Sequence, residues 1–442
     1  MTKIRAVFLL LFLLPLPAQA NSTISILNWQ EESFLTTNGK KSEILIEAKA
    51  VNLSSNQFIK SFTLGLSKER NIKITKVICD RQPTDYSFSN NYLEIKFPQV
   101  RKNNDTISIY FAYEEKYKEI NKFLRQEVIS VPPFAAGAKA KVIINFPWSL
   151  QSATLNPNIT KNGNSFIYQN IVPKTGVQEL IKLTSAQDAW DVIARVKIDS
   201  NQSLEKSTVS MPIYFQNSNQ IVENSVAKSS ILPLKQYAEV GRNTFEFNTE
   251  AREITIENRA RISTGENIRT RINRDPYKYL NTTQEESDLL TPILNHIKQN
   301  PQYKNLPLYA KIGKFVHEYI QYDVRYTNKL PKIDEILQNK AGVCTEYAKL
   351  YDGLARIAKI PSVIVNGVAC GEYNKCEGHA WNLIYVNQKW INVDPTWDLM
   401  SGIVSSSHVY FNDNDNGDAQ VKYFGSKKTV KSKMDFEIKN VE

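Results

Sequence analysis

A cysteine, a histidine and an aspartate follow one another in the C-terminal part of this chain, each at the expected edge of a structural element. Cys344 lies in Ala341-Gly342-Val343-Cys344-Thr345-Glu346-Tyr347-Ala348, His379 in Gly378-His379-Ala380-Trp381, and Asp394 in Asn392-Val393-Asp394-Pro395-Thr396-Trp397. That is the order of a nucleophile, its base and the group that orients the base. A thiol attacks well only once ionised, and a helix N-terminus or a neighbouring imidazolium favours the thiolate. Such a set would carry out acyl transfer. His379 would ionise Cys344 and later protonate the leaving amine, while Asp394 would fix the tautomer of His379.

The elements that must position these groups read as follows. Tyr347, Tyr351, Leu354 and Ala358 recur at helical spacing, so Cys344 opens a helix that Pro361 stops. Gly342 allows a tight turn before it, and the free N–H groups of the first helical turn could hold an oxyanion. Val363-Ile364-Val365, His379 to Val386 and Trp390 to Val393 are three strand-like runs. Asn387-Gln388-Lys389 turns the last two into a hairpin, with His379 opening one strand and Asp394 closing the next. Upstream, Thr291-Pro292 has the form of a helix start, followed by a stripe of Leu308, Ile312, Phe315 and Tyr319. Helices followed by a meander of strands make an α+β domain.

Taken singly, none of the three residues is diagnostic. A cysteine entering a helix is usually a packed residue, a lone histidine is usually structural, and Asp-Pro usually marks a turn. The wording around all three is what resembles the transglutaminase-like superfamily, whose fold is related to papain-type cysteine proteases. Gly342-Val343-Cys344-x-Glu346-Tyr347-Ala348-x-Leu350 is similar to its nucleophile segment, and Ala355-Arg356-x-x-x-Ile360-Pro361 to the end of that helix. Gly367 fits the next strand. His379-Ala380-Trp381 and Trp390-x-x-Val393-Asp394-Pro395-Thr396-Trp397 are similar to the base and orienter segments. The resemblance runs over roughly residues 285–412. It implies Cys344 as nucleophile, His379 as base and Asp394 as orienter; no cofactor is expected, and no second cysteine or histidine pair lies at the spacing a metal site needs. Gln338 stands six residues before Cys344, the spacing of an oxyanion glutamine in papain-like proteases, but that pattern is foreign to the transglutaminase-like group.

The other readings frame these segments. Residues 1–20 carry Lys3 and Arg5, an apolar run from Ala6 to Leu16 and Ala18-Gln19-Ala20, the pattern of a secretory signal peptide too short to span a bilayer. Export to a bacterial periplasm or beyond is therefore expected, with no membrane-spanning segment after cleavage. Loss of Lys3 and Arg5 takes the formal charge from +10 to +8, an ordinary value. No basic stripe interleaved with aromatics points to nucleic acid. A protein or peptide substrate associated with the envelope is the expected partner.

Residues 21–185 and, across a soft boundary, 186–262 show short period-two runs. Examples are Ile44, Ile46 and Ala48, then Ile107, Ile109 and Phe111, then Val192, Ala194 and Val196. The expected architecture is multidomain: an N-terminal all-β, sandwich-like region, then the α+β transglutaminase-like domain over 263–412, then a polar basic tail over 413–442. That tail carries Lys427, Lys428, Lys431 and Lys433. Of the four cysteines, Cys370 and Cys376 bracket a short polar loop that a disulfide would close beside His379, and Cys79 reads as a small buried residue. Asn412 to Gly417 suggests a calcium loop but lacks the acidic first and twelfth residues. The function expected is peptide or isopeptide hydrolysis by an exported cysteine enzyme. Cross-linking or deamidation through the same acyl-enzyme is the near alternative. A non-catalytic binding protein acting through its β modules is the distant one.

Overall fold

The computed structural model describes residues 23–36, 39–66, 71–116, 118–121, 123–147, 150–212, 220–239, 242–265, 275–327, 329, 331–371, 375–412, 420–423 and 430–441. The signal-peptide reading and the Asn/Asp run over 413–417 lie outside these residues. The chain forms two compact units. The first takes the chain up to Glu119 with Gln126–Leu150 and Asn156–Ile181; the second takes Ile120–Arg125, Gln151–Leu155 and Lys182–Glu442.

The first unit is built on a sheet in which Thr160–Asn162, Ser165–Ile171, Lys139–Asn145, Ile24–Thr36, Gly39–Ala50, Thr106–Glu115, Ile72–Cys79 and Gln82–Pro83 lie side by side. Alternation decides which side chains turn inward. Ile44, Ile46 and Ala48 are buried, and so are Ile107, Ile109 and Phe111 on the neighbouring strand. The pairing of Ile24–Thr36 with Lys139–Asn145 is parallel. A parallel partner needs a long connection, and here the hairpins of the intervening chain supply it. Asn162-Gly163-Asn164 makes a tight turn, with Gly163 at a positive φ of 56°.

In the second unit, two four-stranded sheets enclose one apolar core. One sheet orders Gln220–Ser229, Glu253–Gly265, Gln187–Ser200 and Val430–Asn440; the other orders Lys235–Glu239, Arg242–Phe247, Ser207–Pro212 and Gln420–Tyr423. Trp190, Val192, Ala194, Phe245, Phe247, Ile254 and Ile256 meet between them. Val430–Asn440 is thus not a tail: it pairs along Gln187–Ser200 from Trp190↔Asn440 to Ser200↔Val430. Met434, Phe436 and Ile438 alternate and pack on this core, while Lys431 and Lys433 stay exposed. Lys427 and Lys428 lie outside the described residues.

The same core takes in Val368, Cys370, Val409 and Phe411, which belong to the α+β part of the chain. That part consists of helices α1 (Gln284–Gln299), α2 (Leu308–Tyr319), α3 (Ile333–Asn339) and α4 (Cys344–Ile357). Strands β1 (Ser362–Cys370), β2 (Cys376–Val386), β3 (Lys389–Val393) and β4 (Val409–Asn412) form its sheet in the order β3-β2-β1-β4. Helix α1 starts at Gln284, not at the expected Thr291-Pro292. Thr283 accepts the Glu286 N–H and Glu286 reaches back to the Thr283 N–H, a capping box that sets the start two turns earlier. Pro292 is then carried inside the helix because Leu290, Leu294 and Ile297 anchor its face in the core. The β2–β3 turn is the expected one, with Asn387 and Gln388 both at positive φ and Val386 opposite Lys389.

Candidate functional site

Cys344 is the first residue of α4, with Val343 at the cap position, and its thiol is half-buried. Val343 has no side-chain acceptor, so the helix start is tied down differently. The Glu346 carboxylate accepts the Val343 N–H at 2.7 Å and the Thr345 hydroxyl at 3.1 Å. Burial raises the Glu346 pKa, against those hydrogen bonds. Gly342 is required here for space: a Cβ on it would stand 2.4 Å from that of Glu346. Gln321–Tyr322 pairs in parallel with Ala341–Gly342, the residues just ahead of Val343 and Cys344. Burial first, then the Cys344 charge, pushes the Tyr322 hydroxyl up to about 12.

His379 is the fourth residue of β2, because pairing of this strand starts at Cys376↔Cys370 instead of at His379. The expected Cys370–Cys376 disulfide closes that end. Asn382 donates from Nδ2 to the Ala348 carbonyl at 3.0 Å, which fixes β2 against α4. The two elements thereby set the Cys344 side chain where it interacts electrostatically with the His379 ring. His379 Nε2 meets Asp394 Oδ2 at 3.0 Å, which leaves Nδ1 as the ring atom for the thiol. The indole of Trp397 stacks on the imidazole at 5.0 Å and that of Trp381 at 6.0 Å. Burial disfavours the charged ring, but the Asp394 carboxylate and then the Cys344 side chain outweigh it and raise the His379 pKa to about 10.

Asp394 follows β3 directly and has no exposed surface. Its Oδ1 accepts the Thr396 N–H at 2.8 Å and the Trp397 N–H at 3.3 Å, and its backbone bridges to Leu399 in both directions. Burial would raise its pKa, yet His379 and then His408 hold it well below the usual carboxylate range. One oxygen of Asp394 thus serves the turn and the other faces His379.

The turn after Asp394 is gripped from beneath. His317 Nδ1 lies 3.1 Å from the Pro395 carbonyl, Lys182 donates to the Trp397 carbonyl, and Lys314 pairs with Asp398 at 3.0 Å. Burial lowers the Lys182 pKa; at Asp398 burial is outweighed by Lys182, His317 and Lys314, so its carboxyl is held low. None of these residues was marked by the sequence, because each reaches the site from a distant segment with no motif of its own.

His408 was missed in the same way. It is fully buried just before β4, and its Nε2 lies 3.2 Å from Asp394 Oδ2, the oxygen that His379 also holds. Its pKa is lowered, chiefly by burial. The donor atoms of His379, Asp394 and His408 lie within 4.8 Å of one another and are the group among the described residues that could hold a metal ion. Two imidazole N–H donors on one carboxylate oxygen account for that spacing without one. Gln338 sits exposed on α3. Cys79 is buried and free, as expected.

With this geometry in hand, comparison with known proteins is informative over the C-terminal part. Residues 294–395 match the model of the transglutaminase-like superfamily. The C-terminal domain of this chain belongs to that superfamily, and the match supports a cysteine-dependent enzyme in the broad sense. Over 120 residues the chain is 29% identical to kyphoscoliosis peptidase of Mus musculus. That stretch is 25% of this chain and 18% of the relative, so the chain spans less than a fifth of the relative's length. A solved candidate cysteine protease from Cytophaga hutchinsonii aligns at TM-score 0.44 and 15% identity, over 58% of this chain and 92% of that one. An M1 zinc metallopeptidase from Deinococcus radiodurans aligns at TM-score 0.26 and 9% identity, over 38% and 43% of the two chains. Neither structural likeness is close enough to carry an argument. No helix among the described residues is long and apolar enough to cross a membrane.

Proposed function

We propose that the chain is an exported cysteine-dependent acyl-transfer enzyme that hydrolyses peptide or isopeptide bonds in the bacterial envelope. The observation that carries the reading is the His379–Asp394 hydrogen bond at 3.0 Å, with Cys344 as the first residue of a helix and its charge felt by the same imidazole. The basic, apolar, small-residue order of residues 1–20 and the Cys370–Cys376 disulfide favour export.

The chemistry follows from the residues. A raised His379 is an imidazolium at neutral pH, the form that pairs with a Cys344 thiolate. The thiolate sulfur attacks the substrate carbonyl carbon, and the developing oxyanion meets the Cys344 N–H, which has no intrahelical acceptor in the first turn. The C–N bond breaks as His379 gives its proton to the amine, leaving a thioester on Cys344. Water then attacks that thioester, His379 takes the water proton, and the C–S bond breaks to release the acid and restore the Cys344 thiolate beside the His379 imidazolium. An amine in place of water would give cross-linking by the same steps. The buried carboxylate and the stacked indoles keep His379 in one orientation throughout.

The test is a pair of measurements on the folded wild type and Cys344→Ala. A thiol-directed probe should label Cys344 of the wild type rapidly below pH 7, and envelope peptides should be cleaved only by the wild type. Cleavage by a folded Cys344→Ala protein defeats the assignment. Unlabelled Cys344 with bound, uncleaved envelope material would favour the binding-protein alternative.

A further inference from the structure

The two histidines at the candidate site divide a single atom. Asp394 Oδ1 is already taken by the N–H groups of Thr396 and Trp397, so the carboxylate plane is fixed without any histidine. Its Oδ2 receives His379 Nε2 at 3.0 Å and His408 Nε2 at 3.2 Å. An ionised carboxylate only accepts, so a neutral His408 must carry its proton on Nε2. The ring has no freedom to leave. It stands edge-on to Trp397 at 4.9 Å, to Trp381 at 5.1 Å and to His379 at 5.2 Å, with no exposed side-chain surface.

We propose that His408 is a positioning residue of the site: by sharing Asp394 Oδ2 it limits how strongly that carboxylate holds His379, and so keeps the His379 proton transferable. The inference rests on the proposed roles of Cys344, His379 and Asp394. Its physical content is simple. The His408 N–H dipole presents its positive end to the oxygen that stabilises the His379 imidazolium, and spreads that negative charge over two donors. Without it, Asp394 closes on His379 alone, and the imidazolium becomes a weaker acid toward the leaving amine.

The groups that face this pair come from several elements. Cys344 approaches His379 from α4, Asp394 from the end of β3 and His408 from before β4. Lys182, which donates to the Trp397 carbonyl, and Tyr322, paired with Gly342, also feel the Asp394 charge. None of these but His408 donates to Oδ2 beside His379.

The experiment needs no natural substrate. Full-length protein is alkylated with iodoacetate and with iodoacetamide across pH, and the rate ratio is followed. An imidazolium beside Cys344 favours the anionic reagent, so the pH at which that preference disappears reports loss of the His379 proton. Buried Cys79 does not compete. In His408→Phe, which keeps a flat ring but no donor, the midpoint should move up by about half a pH unit or more. His408→Gln places a donor near the Nε2 position and should return the midpoint to the wild-type value. A role in packing alone predicts a lower melting temperature with no movement of the midpoint. An unmoved midpoint in folded His408→Phe, or equal displacement by His408→Gln, overturns the proposal. If His408→Phe does not fold, His408→Asn makes the same comparison, because its shorter side chain stays polar but falls short of Oδ2. A wild type that never prefers iodoacetate overturns the Cys344–His379 reading itself, a distinct result.

Discussion

Gly342 and Glu346 are packed so closely that a methyl group on the glycine would lie 2.4 Å from the Glu346 Cβ and 2.9 Å from its Oε2. The same Glu346 carboxylate accepts the Val343 N–H at 2.7 Å, so this contact sets where α4, and therefore Cys344, begins. Gly342→Ala should destabilise the protein by about 1–3 kcal/mol through overpacking. It should also slow thiol labelling at Cys344 as the helix start shifts. Chemical denaturation with a labelling time course checks both. An alanine variant of wild-type stability and labelling rate would show that Glu346 swings away freely.

Cys344→Ala removes the proposed nucleophile and little volume from a half-buried position. Circular dichroism and melting temperature should stay near the wild type, while acyl transfer and thiol labelling vanish.

Asp394→Asn is expected to do two things at once, since one oxygen caps the Thr396–Trp397 turn and the other faces two histidines. An amide that keeps its oxygen on the turn must point its NH₂ at His379 and His408, and both rings would then have to accept. Turnover should fall by roughly two to four orders of magnitude. Stability should fall too, by about 2–3 kcal/mol, because charged hydrogen bonds are lost in a buried site. Turnover within a few-fold of wild type would remove Asp394 from the catalytic reading whatever the melting temperature does.

The charged pair also makes stability depend on pH in a stated direction. The folded His379 holds its proton to about pH 10, whereas the unfolded ring releases it near its ordinary value of about 6.5. In that window the folded state binds more protons, so stability falls as pH rises. Below about 6.5 the His379 contribution is complete. Asp394 behaves oppositely: its folded pKa is depressed, so its contribution is present above about 4 and is lost as pH falls further. Melting temperatures of wild type and His379→Gln should therefore converge between pH 7 and 10. A constant gap across that range would mean that His379 is not held protonated.

Peptide mapping without reductant should recover Cys370 linked to Cys376, with Cys79 and Cys344 as free thiols. Since β2 pairs from Cys376, three residues before His379, reduction should loosen that end and slow labelling of Cys344. Any link involving Cys344 would contradict the site as described.

The sequence by itself determined what neighbouring residues encode. The tyrosine stripe after Cys344 specified α4, and Asn387-Gln388 specified the β2–β3 turn because two consecutive positive φ values suit that turn. The wording around Cys344, His379 and Asp394 picked out the three segments of the candidate site. Local signals misled where a distant one was stronger: Thr291-Pro292 looked like a start, but the Thr283–Glu286 box and the buried Leu290–Leu294–Ile297 face carried α1 through it. Met434, Phe436 and Ile438 alternate as strand residues do, yet charge at the chain end masked them until Gln187–Ser200 supplied a partner. Only the tertiary structure brought Lys182 to the Trp397 carbonyl, His317 to Pro395 and His408 to the Asp394 oxygen. Periodicity and turn chemistry act between near neighbours and leave a trace in the chain. Which buried histidine shares which carboxylate depends on strand order, register and the exclusion of water, which exist only once distant segments have packed.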